Sequence, residues 1–157
     1  MSRKLGNTLP DDLFERLRPQ QTEAKLTKVL PLCSLDEAGF PHFCLLSHRE
    51  LAAKDRRSLR LATYAGSSTT KNLQRGGKAT LMVLDEEMSY YIKLNVRQIK
   101  ATMQTAPGLS MFHLEVEQVI EDREPQNPIT SGVTFLNRDP KGFVDFAAKT
   151  FAELLED

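Results

Sequence analysis

The sequence predicts a mainly β fold: six antiparallel strands curled into one small closed barrel, with short helices on its flanks. Three observations predict it. Six apolar segments of strand length or more follow one another with few crossover helices between them. One of them, Ser89 to Met103, is longer than an ordinary strand, and its apolar residues change face after Arg97. A bulge produces such a shift, and long bent strands turn the corners of small barrels. Finally, 157 residues fit one domain, 1–157, large enough to bury a core without disulfide or metal staples.

Each element follows from local chemistry. Pro10, Asp11 and Asp12 open a helix over about 10–18, with Leu13, Phe14 and Leu17 on one face and Pro19 as its stop. Lys28 to Leu35 reads as a strand, and Pro31, which cannot donate to a ladder, gives it an edge or an irregular start. A turn around Gly39 leads to a second strand, His42 to Leu46. Ser47 and Glu50 have the spacing of a capping box, which predicts a short helix to about Asp55. Ser58 to Thr63 is the third strand. A polar loop and short helix follow to Arg75, ended by Gly76 and Gly77. Lys78 to Leu84 is an almost continuous apolar run, as in a strand buried on both faces. Ser89 to Met103 is the bent fifth strand, and Leu109 to Ile120 the sixth. Glu121 to Thr134 reads as a loop. Asp139 caps a last helix, about 140–155, with Phe143, Phe146, Ala147, Thr150, Phe151 and Leu154 in an amphipathic stripe. Such a stripe covers a barrel opening or seals a dimer contact.

Lys and Arg total 21, as do Asp and Glu, so the net charge is zero. That balance argues against a general nucleic-acid binder or a polybasic membrane-surface protein. No segment approaches the ~20 apolar residues of a membrane helix, and Met1 to Gly6 has no apolar run of a signal peptide, so the cytoplasm is the expected location. Cys33 and Cys44 flank the first hairpin turn, where they could face each other. Reduced, buried thiols are the plainer reading for that compartment.

Chemistry concentrates in Thr63 to Leu73. Gly66 is followed by four hydroxyl residues, Ser67 to Thr70, then by Lys71 and Asn72, where a strand gives way to a helix. Free amides and partial positive charge at a helix start accept anions, and hydroxyls and an ammonium add donors. An over-capped helix start with no ligand has the same composition. The spacing is neither a P-loop nor a dinucleotide fingerprint. His42, His48 and His113 lack metal-ligand spacing, so no metal site is expected. No Gly-x-Ser-x-Gly elbow supports a catalytic triad. Arg97, Gln98, Ile99 and Lys100 lie at the bend, where side chains are often re-aimed toward ligands.

Three stretches resemble the pyridoxamine 5'-phosphate oxidase-like family, the FMN-binding split barrels. His42-Phe-Cys-Leu-Leu-Ser47 is similar to the family's second strand. Leu61-Ala-Thr-Tyr-Ala-Gly-Ser-Ser-Thr-Thr-Lys-Asn-Leu73 is similar to its phosphate segment, and Arg97-Gln-Ile-Lys100 to its Arg-Gln-Val-Arg stretch. The resemblance spans roughly Lys28 to Ile120, with the motifs in order. It implies FMN as cofactor, with Leu61, Thr63 and neighbouring backbone at the isoalloxazine edge. Ser67, Ser68 or Thr69, with Lys71, would hold the phosphate, Asn72 would support them, and Gln98 would reach the ring. It also implies a homodimer with the flavin between subunits, and an oxidoreductase acting on a small molecule. The family's oxidases have Arg at the position of His42, Lys at that of Ser47, and a tail with Trp and Arg. This chain has no Trp, so the resemblance does not extend to pyridoxamine phosphate oxidation itself. A non-catalytic binding or sensor protein holding flavin, haem or deazaflavin in the same barrel is the alternative, and a dimer with a decayed pocket a third reading.

Overall fold

A computed structural model describes residues 1–19 and 23–157. Among them the chain forms β1 (Ser2–Gly6), α1 (Asp11–Leu17), α2 (Glu23–Leu26), β2 (Val29–Leu35), β3 (Pro41–Ser47), β4 (Leu51–Ala53) and β5 (Ser58–Tyr64). α3 (Ser68–Gly76), β6 (Lys78–Asp85), β7 (Met88–Lys100), β8 (Leu109–Asp122) and α4 (Pro140–Leu154) complete it. All pairings between strands are antiparallel, in the order β3-β2-β6-β7-β8-β5-β4, with β1 beside the far end of β8.

The sheet therefore has eight strands rather than six, and it does not close by hydrogen bonds. No pairing joins β3 to β4 among the described residues. Closure is by packing instead. Leu30, Leu32 and Leu46 from one end of the sheet share a buried cluster with Leu51, Leu59 and Leu61 from the other. Such a curled, split barrel buries apolar side chains without pairing every edge.

Local chemistry explains most elements. β2 and β3 pair from Val29↔Ser47 to Leu35↔Pro41 around Gly39, whose φ of +86° suits glycine. The ladder from β2 to β6 holds only Leu32↔Leu81 and Cys33↔Thr80, beginning just after Pro31, which has no N–H to give. Cys33 lies opposite Phe43 and Cys44 opposite Leu32. Side chains alternate along a strand, so the two thiols leave opposite faces of the hairpin and do not face each other. β7 bends as its phase change predicts: Gln98 pairs with Phe112 and Lys100 with Met111, leaving Ile99 as the extra residue. A second shift leaves Glu117 unpaired on β8, between Lys93↔Gln118 and Leu94↔Val116.

The helix expected after Ser47 is absent. The reciprocal turn does form: Glu50 Oε2 accepts from the Ser47 N–H at 2.6 Å and from its hydroxyl at 2.8 Å. The chain then runs into β4, because Leu51, Ala52 and Ala53 are buried on both sides and pair with β5. β1 was also unforeseen, since Ser-Arg-Lys-Leu-Gly has no strand-like alternation and pairs along the end of a much longer strand.

α4 lies against the sheet rather than over a barrel opening. It packs on the outer face of the sheet, where Phe143, Ala147, Phe151 and Leu154 meet Ala52, Ala62, Leu109 and Met111. Asp139 caps it by accepting the Gly142 N–H at 3.1 Å. Its last turn is clipped by Glu153, 1% exposed. That carboxylate accepts from Lys100 Nζ at 2.8 Å, the Gln104 and Thr105 amides at 2.9 and 2.7 Å, and the Thr105 hydroxyl at 2.8 Å. Burial alone raises a carboxyl pKa, but these donors outweigh it and hold Glu153 down to about 2, against 4.5 ordinarily. A depressed folded-state pKa gives stability that is full above the ordinary value and is lost as pH falls toward the folded one. Urea midpoints should therefore fall between pH of about 4.5 and about 2. Glu153→Gln should lower stability by about 2–3 kcal/mol at neutral pH and flatten the dependence in that window.

Candidate functional site

The site is built where β5 runs into α3. The chain leaves Tyr64 through Ala65 and Gly66 to Ser67, the N-cap, whose extended backbone (φ −72°, ψ 156°) frees its side chain to fold back. Ser67 Oγ accepts the Thr70 N–H at 3.1 Å. Gly77, at φ +62°, ends the helix, its N–H donating to Leu73 O at 3.0 Å. Val96 N–H then donates to Gly77 O at 2.8 Å and ties that exit to β7.

α3 touches β2, β3, β5 and β7, strands from both halves of the curl, and drives Leu73 into the inner core. Polar contacts fix its rotation. Thr70 and Thr63 hydroxyls meet at 2.6 Å, and Thr70 Oγ1 donates to Tyr64 O at 2.8 Å. Asn72 Nδ2 donates to Ser34 Oγ at 3.3 Å, and Gln74 Nε2 to Gln98 Oε1 at 3.0 Å. The Thr69 hydroxyl engages the Cys44 thiol. Burial nevertheless dominates at Cys44 and pushes its pKa up, so it stays a thiol.

These contacts sort the residues named from the sequence. Thr63, Thr69 and Asn72 are buried and face inward, with the Asn72 oxygen accepting from Arg75 at 3.0 Å. Leu61 is fully buried in the core, between Leu51 and Phe112. Gln98 sits beside the C-terminal half of α3, engaged by Gln74. At the exposed helix start stand Ser68 and Lys71, with Ser67 half-buried beside them. Ser68 and Lys71 are three residues apart and share a helix face. Lys71 makes no ion pair or side-chain hydrogen bond among the described residues, and the Ser68 and Thr69 amides have no acceptor there. Two open amides, one hydroxyl and one ammonium make a cradle for an anion.

Neighbouring groups add little charge. Ser47, where the family's oxidases carry a lysine, has its hydroxyl engaged by Glu50. His42 lies opposite Ser34 on β3. His48 is buried, and burial and then Arg16 lower its pKa to about 4, so it stays neutral. Among the described residues no three His, Cys, Asp or Glu side chains group to hold a metal ion. No helix of the described chain is long and apolar enough to cross a membrane.

The fold has close counterparts in solved structures. One from Lactobacillus delbrueckii, a candidate pyridoxamine 5'-phosphate oxidase, matches with a TM-score of 0.60 at 16% identity, covering 74% of this chain and 98% of that one. A similar candidate from Listeria innocua matches with a TM-score of 0.52 at 15% identity, over 69% and 94% of the two chains. This chain has the split-barrel fold of the pyridoxamine 5'-phosphate oxidase-like proteins. HupZ of Group A Streptococcus shares that split barrel, with a TM-score of 0.56 at 10% identity, over 82% and 99% of the chains. In sequence, the uncharacterized protein YclD of Bacillus subtilis (strain 168) is 27% identical over 148 residues, 94% of this chain and 96% of its own. No family model matches the chain.

Within the split barrel, two residues were missed as parts of the site. Thr70 is the knot that sets the helix start, and only the run of hydroxyls hinted at it. Tyr64, 66% exposed, leaves an aromatic ring in solvent beside that start, where its place at the strand end was the available signal. Thr70→Val keeps the side-chain shape but strands the Thr63 hydroxyl, while the Tyr64 carbonyl keeps the Ser67 N–H as donor. It should cost about 1–3 kcal/mol in urea denaturation. The double variant Thr63→Val/Thr70→Val should cost less than the sum of the two single changes.

Proposed function

We propose that this chain is a flavoprotein: it holds FMN by its phosphate at the start of α3, as a homodimer with the flavin between subunits, and acts as an oxidoreductase on a small molecule. The observation that carries the reading is the cradle of the Ser68 and Thr69 amides, the Ser68 hydroxyl and the otherwise unpaired Lys71. A phosphate monoester fits that donor set, because amides at a helix start take oxygens and an ammonium supplies charge. The fold supports the choice of cofactor, since the L. delbrueckii and L. innocua structures are named as candidate pyridoxamine 5'-phosphate oxidases.

Bound FMN would supply the hydride or electron chemistry. The chain's own part is positioning. The Ser68 and Thr69 amides, the Ser68 hydroxyl and Lys71 would anchor the phosphate, with Ser67 capping the helix beneath them. Thr63 and Thr70, locked together, would hold the helix start at a fixed height above β5. Gln98, at the bulge, would offer its amide toward the ring. With His48 kept neutral and Cys44 kept a thiol, neither supplies charge to the site.

The homodimer reading draws support from the hairpin. Pro31, Cys33, Leu35, Phe43 and Leu45 share its outer face, and Leu35, Phe43 and Leu45 are 56%, 59% and 69% exposed. Contiguous apolar surface of this kind marks an interaction site.

Purified protein titrated with FMN should quench flavin fluorescence, and Lys71→Ala should weaken binding roughly 10- to 150-fold, the worth of a charge-assisted contact. Phe43→Lys/Leu45→Lys should convert dimer to monomer in light scattering and weaken FMN binding with it. No uptake of FMN by the wild type, or equal affinity in Lys71→Ala, contradicts the reading.

A further inference from the structure

On the outer face of the sheet, away from α3, three basic side chains stand in one row. Arg60 of β5 pairs with His113 of β8, and His113 pairs with Arg97 of β7. Directly paired residues project from the same face, and neighbouring strands are ~4.8 Å apart. That face is the outer one, because Met111, two residues before His113, packs beneath α4, whereas Phe112 and Leu114 enter the inner core.

Asp55 and Asp157 act on Arg60 from a distance, and Glu115 and Asp55 on His113, but none closes onto the row. Neither Arg60 nor Arg97 forms an ion pair among the described residues. The nearest acids are committed elsewhere or stand further off. Asp55 accepts from the Arg57 N–H and the Ser58 hydroxyl, and Asp157 pairs with Lys54. Glu115 stands two residues along β8 on the same face, without an ion pair to either arginine. Arg60 is only 9% exposed. Its Nη1 donates to His113 Nδ1, which requires the imidazole to be neutral at that nitrogen. Burial and the two guanidiniums lower the His113 pKa, in keeping with that bond. On the other edge of the same guanidinium, the Nε–H is buried with no partner. A buried orphan N–H is costly, and the Nε edge of a guanidinium offers two parallel donors to one oxyanion.

We propose that Arg60 and Arg97, on either side of His113, form a second anion site that takes a phosphate group. A neutral imidazole between two guanidiniums leaves two positive charges, which suits a phosphate dianion better than a carboxylate. Arg60 supplies the buried fork, and exposed Arg97 closes over the ligand from the next strand but one. The site does not depend on flavin binding, since it lies across the sheet from Gln98.

The probe is inorganic phosphate, followed by the Arg60 Nε–H and His113 side-chain resonances in ¹⁵N NMR, with potassium chloride at matched ionic strength as control. Both resonances should shift saturably with phosphate and not with chloride. Arg97→Gln, a change at an exposed residue, should weaken the response roughly tenfold or more, while Lys71→Ala should leave it unchanged. Equal responses to phosphate and chloride, no effect of Arg97→Gln, or loss of the response in Lys71→Ala would each overturn the proposal. Sodium acetate producing the stronger shift would overturn the choice of phosphate.

Discussion

Everything at the candidate site rests on a buried knot of oxygen atoms. Thr63 on β5, Thr70 on α3, Ser67 at the N-cap and the Tyr64 carbonyl satisfy one another within a few ångströms. A helix laid over the end of a curled sheet has few ways to fix its rotation through apolar contacts alone. Hydroxyls that must pair when buried supply that direction, because any other rotation leaves them orphaned. With the knot tied, the first two amides of α3 are left without an acceptor among the described residues, and Lys71 follows Ser68 one turn later on the same face. The anion cradle is a consequence of how the helix is pinned.

The same sheet is used differently on its different faces. Inside the curl, leucines from both ends close a barrel that hydrogen bonds leave open. Outside, α4 covers β4, β5 and the start of β8, and Glu153 fastens its last turn. The outer face of the β2–β3 hairpin stays apolar and uncovered. These assignments follow from side-chain alternation and from the two bulges of the β7–β8 ladder, which bend the sheet enough for its ends to meet.

Much of this was legible in the sequence where a residue type has one dominant physical use. Pro10 with two acids, Gly77 at a helix exit, Asp139 before Pro140, and the face change after Arg97 each predicted the element found. Pro31 predicted the broken ladder. What escaped notice depended on distant partners. The Ser47–Glu50 box formed its hydrogen bonds yet led into a strand, because β5 offered pairing that no local signal announces. β1 has no apolar alternation, and exists because β8 runs past its neighbours. At the site, the hydroxyl run has the composition of a set of ligand donors, although Thr69 and Thr70 are turned inward. Composition gives the number of hydroxyls at a helix start, but the helix phase decides which reach solvent. Glu153 gave no signal at all, since its partners lie about fifty residues away.

The central claim is that the unpaired first amides of α3 receive the phosphate of a flavin. Amide resonances recorded during a titration of ¹⁵N-labelled protein with FMN test it most directly. The account predicts the largest shifts at Ser68 and Thr69, with Leu61 and the core of β8 scarcely moved. Binding of FMN that leaves the Ser68 and Thr69 amides still while others shift would contradict it.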